Sequence, residues 1–124
     1  MRMNQVTVPV QNLQQAADFY QLLGLKIIVN SPHYMRFVCP EGDSTLSIEQ
    51  VDAKPGKSAV VIYFETDHLD QKVRELTAAG LVFHQEPVDQ PWLWREAYLE
   101  DPSGNRICLY HAGENRLNPP WKVK

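Results

Sequence analysis

The chain repeats its own plan after 56 residues. Over residues 5–10, Val6, Val8 and Val10 alternate with Gln5, Thr7 and Pro9, the period of a strand buried on one face. Residues 13–23 then set Leu13, Ala16, Ala17, Tyr20 and Leu23 at three- and four-residue intervals, with Gly24 as a stop, which predicts an amphipathic helix. One repeat later, residues 60–64 read as a strand, Asp67 as an N-cap, Leu69 as a helix start and Gly80 as its end. Leu13 falls on Leu69, Gly24 on Gly80 and Leu25 on Leu81 without a gap. A constant register over strand, helix start and helix stop confines the chain to two copies of one unit.

The second halves of the copies agree more loosely. Residues 34–38 before Pro40-Glu41-Gly42 parallel residues 97–99 before Pro102-Ser103-Gly104, and each Pro-x-Gly predicts a turn between strands. Residues 45–49 and 107–111 are the last strands. Gly24 to Gly42 is 18 residues and Gly80 to Gly104 is 24, so the second copy is expected to carry extra loop between His84 and Trp94. Each copy reads strand, helix, then three strands. That order disfavours a ferredoxin-like β-α-β-β-α-β domain.

A chain of 124 residues has room for one ordinary globular domain, so the copies share residues 1–124 as halves of a single domain. Module one covers about residues 4–52, module two about 58–112, and 113–124 form a tail. A net charge of −3 without a Lys/Arg cluster longer than a pair leaves no footprint for nucleic acid or an anionic membrane. No apolar run is long enough to span a bilayer, and the start moves straight into a strand pattern, so a cytoplasmic location is expected. Cys39 and Cys108 are too few for a disulfide framework and are read as reduced thiols.

Leu13 with Ala16-Ala17-Asp18-Phe19-Tyr20 and Leu22-Leu23-Gly24-Leu25, followed by Asp101-Pro102-Ser103-Gly104-Asn105-Arg106-Ile107 and Leu109-Tyr110, resembles the vicinal oxygen chelate superfamily. This group holds the glyoxalases, bleomycin-resistance proteins and extradiol dioxygenases, and the resemblance spans about residues 4–112. It implies an α+β fold of two tandem βαβββ modules forming a curved mixed sheet around a cleft. It also implies a homodimer, as is usual for short members. It does not imply one chemistry, because isomerases, lyases, ring-cleaving oxygenases and drug-sequestering proteins share the scaffold.

In metal-using members the resemblance implies a divalent ion held by His, Gln or Glu from the first and last strand of each module. Alternation decides what this chain offers there. Val6, Val8 and Val10 face the helix, so Gln5, Thr7 and Pro9 face the cleft; the repeat puts Val61, Tyr63 and Glu65 on the matching face. Ser47 and Glu49 share the cleft face of module one's last strand, and Cys108 and Tyr110 that of module two's. The four ligand positions thus hold Gln5, Ser47, Val61 and Cys108, a poor donor set, and neither metal nor other cofactor is expected. A displaced site would need Glu49 with His33 or His84 from a loop.

Cys108 as a nucleophile would need a base or cation to lower its pKa, and packing is the plainer reading. Glu49, Glu65 and Tyr63 are candidate acid–base groups or solvated rim. His33-Tyr34 and Trp92-Leu93-Trp94 read as a ligand lid or as cover for the core edge. Trp121 is expected to dock on its own domain or across a dimer. The expectation is a protein that binds or sequesters a small organic molecule through Gln5, Thr7, Ser47, Glu49, Tyr63, Cys108 and Tyr110, with no catalytic residue assigned. The alternative is a divalent-metal-dependent lyase, isomerase or dioxygenase of glyoxalase type using displaced ligands.

Overall fold

The computed structural model describes residues 1–56 and 58–124. The chain forms two compact units, one of residues 1–57 with 101–105 and one of residues 58–100 with 106–124. The Asp101–Asn105 loop, read in the sequence as part of module two, belongs to the first unit. Each unit carries one four-stranded mixed sheet and one α-helix in βαβββ order, so the expected α+β plan is the observed one, with its strands divided between two sheets.

In the first unit, β1 (Gln5–Val10) leads through α1 (Leu13–Leu22) to β2 (Lys26–Asn30), β3 (Tyr34–Val38) and β4 (Thr45–Gln50). The sheet order is β1-β4-β3-β2, with β1 and β4 parallel and the other pairs antiparallel. α1 lies on β3 and β4. Val8, Val10, Met35, Phe37, Leu46 and Ile48 from the sheet meet Ala16, Ala17, Phe19 and Tyr20 from the helix, all buried. Each large side chain removed from water contributes about 1.5–3 kcal/mol. This face holds the core, and it orients the opposite face.

In the second unit, β5 (Val61–Glu65), α2 (Leu69–Ala78), β6 (Phe83–Asp89), β7 (Arg95–Glu100) and β8 (Arg106–His111) give the order β5-β8-β7-β6, with β5 and β8 parallel. Leu69, Val73 and Leu76 of the helix are buried, as are Ala97, Leu99, Ile107 and Leu109 of the sheet. A short 3-10 helix, η1 (Gly113–Arg116), follows β8.

The repeat extends to hydrogen bonds. Gly24 and Gly80 hold φ of 103° and 105°. Leu25 N–H donates to the Tyr20 carbonyl and Leu81 N–H to that of Leu76, while Gly24 and Gly80 N–H donate to Gln21 and Thr77. Both helices therefore end in the same Schellman motif, which needs a left-handed residue where glycine costs least.

Three expectations change. His68, not Asp67, is the N-cap of α2 and makes no side-chain cap bond, whereas Asn12 accepts from Gln15 N–H at α1. The extra residues of the second copy are partly strand: β6 runs through His84 to Asp89 with two register shifts against β7, leaving a short turn before Trp94. His84 is therefore a strand residue, 3.7 Å from Glu100, and not a loop histidine. In the tail, Trp121 keeps 57% of its surface exposed, so within one chain it does not dock. No helix among the described residues is long and apolar enough to cross a membrane.

Candidate functional site

On the first unit's sheet, residues alternate so that the face away from α1 carries Gln5 and Thr7 from β1, Ser47 and Glu49 from β4, and Tyr34 and Arg36 from β3. Register makes them neighbours: Thr7 lies beside Ser47, Pro9 beside Glu49, Tyr34 beside Glu49 and Arg36 beside Ser47. Ser47 is fully buried, and its Oγ lies 2.5 Å from the Tyr34 hydroxyl. Gln5 Nε2 donates to Ser47 Oγ at 3.0 Å and to Thr7 Oγ1 at 3.2 Å, and Gln5 Oε1 accepts from Thr45. Arg36 Nε donates to the Tyr34 hydroxyl at 3.0 Å. The bond to Ser47 and the adjacent guanidinium lower the Tyr34 pKa. Glu49 is exposed at the strand end and makes no side-chain hydrogen bond among the described residues.

The second unit's corresponding face is aromatic. β5 and β8 pair Tyr63 with Cys108 and Glu65 with Tyr110. Tyr110 stacks on Trp94 at 4.7 Å between ring centroids, and Tyr63 meets both edge-on, at 5.5 Å from Tyr110 and 5.9 Å from Trp94. Cys108, Tyr110 and Ala112 are buried there, with Val61, Trp94 and Tyr98 packed on them. Burial first, and the nearby Glu96 charge second, push the Cys108 thiol up to about 12. A thiol held protonated is no nucleophile near neutral pH, which favours the packing reading.

Two acidic side chains of this unit are engaged by the fold. Glu65 Oε2 accepts from Ala112 N–H at 2.7 Å and Gly113 N–H at 2.9 Å, so it caps η1 in place of serving as a free acid or base. Glu96, on β7 beside Tyr110, is only 2% exposed and accepts from Trp92 Nε1 at 2.8 Å and the Tyr98 hydroxyl at 3.1 Å.

The structure thus brings Gln5, Thr7 and Ser47 into one hydrogen-bonded group, sets Glu49 at its edge, and places Tyr63, Cys108 and Tyr110 together in the other unit. Sequence reasoning missed Arg36, Glu96 and Tyr98 as site residues, and read Tyr34, at the start of its strand, only as part of a lid or as cover for the core edge. The signal was present: Met35 and Phe37, like Ala97 and Leu99, face the helix, so alternation along β3 and β7 exposes these residues on the opposite face. Two shallow hollows lie elsewhere, beside the N-terminal ends of α1 and α2, and hold none of them.

The divalent ion of metal-using relatives does not fit these side chains. Gln5 has both amide atoms committed to neighbours, Ser47 is a neutral hydroxyl bonded to Tyr34 and Gln5, Val61 has no donor atom, and the Cys108 thiol is buried and protonated. Among the described residues no three His, Cys, Asp or Glu side chains gather as a metal would require.

Residues 2–109 match the family model described as the Glyoxalase/Bleomycin resistance protein/Dioxygenase superfamily. A member of that superfamily from Sphaerobacter thermophilus DSM 20745 is similar in structure, with TM-score 0.75 and 25% identity over 90% of this chain and 97% of that one. The bleomycin resistance determinant encoded on transposon Tn5 gives TM-score 0.74 and 22% identity over 90% and 98%. Lactoylglutathione lyase from Agrobacterium tumefaciens gives 0.73 and 18% over 89% and 92%. No curated protein sequence matches the chain.

Proposed function

The chain belongs to the Glyoxalase/Bleomycin resistance protein/Dioxygenase superfamily, and from that premise we propose that it binds a small organic molecule without a catalytic metal. The observation that carries this reading is the state of the family's ligand positions. Gln5 and Ser47 are bonded to each other, Val61 is apolar and Cys108 is packed and protonated. What remains on the two sheet faces is recognition chemistry: hydroxyl, amide and guanidinium groups in one unit, and aromatic rings around a carboxylate in the other. The proposed ligand-facing residues are Gln5, Thr7, Ser47 and Glu49, with Arg36, in the first unit, and Tyr63, Cys108 and Tyr110, with Glu96 and Tyr98, in the second. Fold similarity reaches both a lyase and a resistance determinant, so the side chains and not the scaffold decide between them.

The test is binding under metal-free conditions. With a chelator present, tryptophan emission is followed while a library of small aromatic and heteroaromatic compounds is screened. Saturable binding that chelator leaves unchanged, and that Tyr63→Ala weakens, agrees with the proposal. Turnover of a thiohemiacetal or catechol that chelator abolishes would instead establish a metalloenzyme built on displaced ligands.

A further inference from the structure

A buried carboxylate needs a compensating charge, because hydrogen bonds from neutral donors recover only part of the hydration it gives up. Glu96 is 2% exposed, and both of its bonds come from neutral groups, the Trp92 indole and the Tyr98 hydroxyl. Among the described residues no Lys, Arg or His forms an ion pair with it. Arg106, on the adjacent strand, is turned over the Tyr98 ring at 5.8 Å from its centroid. The negative charge is felt locally, since it contributes to raising both the Tyr98 hydroxyl and the Cys108 thiol. Aromatic groups lie beside it: the Trp92 indole N–H and the Tyr98 hydroxyl bond to it through their ring edges, and Tyr110, its register partner on β8, forms a cluster with Trp94 and Tyr63 on the same sheet face. A carboxylate and ring faces are the two elements that attract an organic cation.

The group covering Glu96 belongs to an exposed turn. Trp92 is 45% exposed and sits in the turn between β6 and β7, whose closing bonds run from Gln90 N–H to the Trp94 carbonyl and from Leu93 N–H to the Gln90 carbonyl. Leu93 holds φ at 67°, a left-handed conformation that costs a non-glycine residue. Building on the small-molecule reading above, we propose that this face takes an organic ammonium or amidinium ion, whose N–H groups displace the Trp92 indole from Glu96 Oε2 while its apolar part lies on the aromatic cluster. In the free protein the Trp92 N–H then occupies the cation's place.

The experiment titrates the full chain with benzylammonium, benzyltrimethylammonium and naphthylmethylammonium, and with benzyl alcohol and naphthylmethanol as uncharged counterparts. Tryptophan emission and the indole N–H resonances report binding. The expected result is tighter binding of the N–H-bearing cations than of the alcohols by about tenfold or more, with the Trp92 indole resonance shifting on addition. Glu96→Gln should abolish that preference, so that the cations bind no more tightly than the alcohols, and Trp92→Phe, which removes the competing donor, should tighten the cations several-fold. If Glu96→Gln fails to fold, the wild-type comparison and Trp92→Phe still decide. Alcohols binding as tightly as cations would overturn this inference and leave the small-molecule reading standing. If neither class nor any library compound binds, both fall together.

Discussion

The Tyr20 hydroxyl donates to the Asp101 carboxylate at 2.7 Å, joining residues 81 positions apart. They lie in the two sequence stretches that carry the family resemblance, and their roles are structural. Asp101 also accepts from Ser103 N–H and Asn105 N–H, each at 2.9 Å, and from Asn105 Nδ2 at 2.8 Å. Asn105 Nδ2 reaches the Pro9 carbonyl, and Ser103 Oγ accepts from Gln11 N–H. The Asp-Pro-Ser-Gly-Asn loop is thereby locked to the end of β1, and burial with the facing carboxylate raises the Tyr20 pKa far above its ordinary value.

Tyr20→Phe removes one donor from a carboxylate that keeps three others, so it should cost about 1–2 kcal/mol in urea unfolding. Asp101→Ala strands the Tyr20 hydroxyl and two backbone N–H groups at once and should cost more, about 3 kcal/mol. Equal midpoints for both variants and wild type would show that the loop is held by something else.

Cys108 makes stability depend on alkali. Its folded pKa of about 12 exceeds the unfolded value of about 8.5, so above that lower value the unfolded state loses its proton first. Stability from this group is complete below about pH 8.5 and falls as pH rises toward 12, at up to about 1.4 kcal/mol per pH unit. Unfolding at pH 8 and pH 10 measures the loss, and Cys108→Ala should reduce it; the tyrosines with raised pKa leave a remainder. A thiol reagent should label the partly exposed Cys39 in native protein and reach the buried Cys108 only after denaturation.

Two left-handed positions should respond in opposite senses. A Cβ at Gly80 would meet nothing within 4 Å, so Gly80→Ala costs only the backbone strain of its φ of 105°, less the entropy removed from the unfolded chain, about 0.5–1 kcal/mol net. Leu93→Gly relieves the same kind of strain and should gain about 0.5 kcal/mol or break even, since glycine adds freedom to the unfolded state. Thermal unfolding of the pair gives both signs, and a large loss in Leu93→Gly would mean that the leucine side chain holds the turn.

Much of the fold was legible because periodicity and stop signals are local. Val6, Val8 and Val10, the two helix-ending glycines and the common offset already specify two βαβββ units. Facing was legible too, since Ile107 and Leu109 against Cys108 and Tyr110 can alternate in only one way. What alternation does not report is how deeply a residue on the open face is covered. Ser47 and Cys108 are fully buried because Tyr34 and Gln5 close over the first, and Val61, Trp94 and Tyr98 over the second. Those neighbours come from other strands, and cross-strand register is a tertiary fact. Glu96 was missed because the strand was read only from Ala97 and in fact begins at Arg95, and because nothing local reports that the Trp92 turn covers it.

Binding of an organic molecule without the metal of metal-using relatives, as proposed above, is decided by metal analysis of the purified protein. Protein prepared without chelator, supplied with Mn, Fe, Ni and Zn and then desalted, should retain far less than one ion per chain and bind the same organic compounds before and after chelation. One equivalent of any of these metals, held through desalting and required for binding, would mean that the chain is a metalloprotein after all.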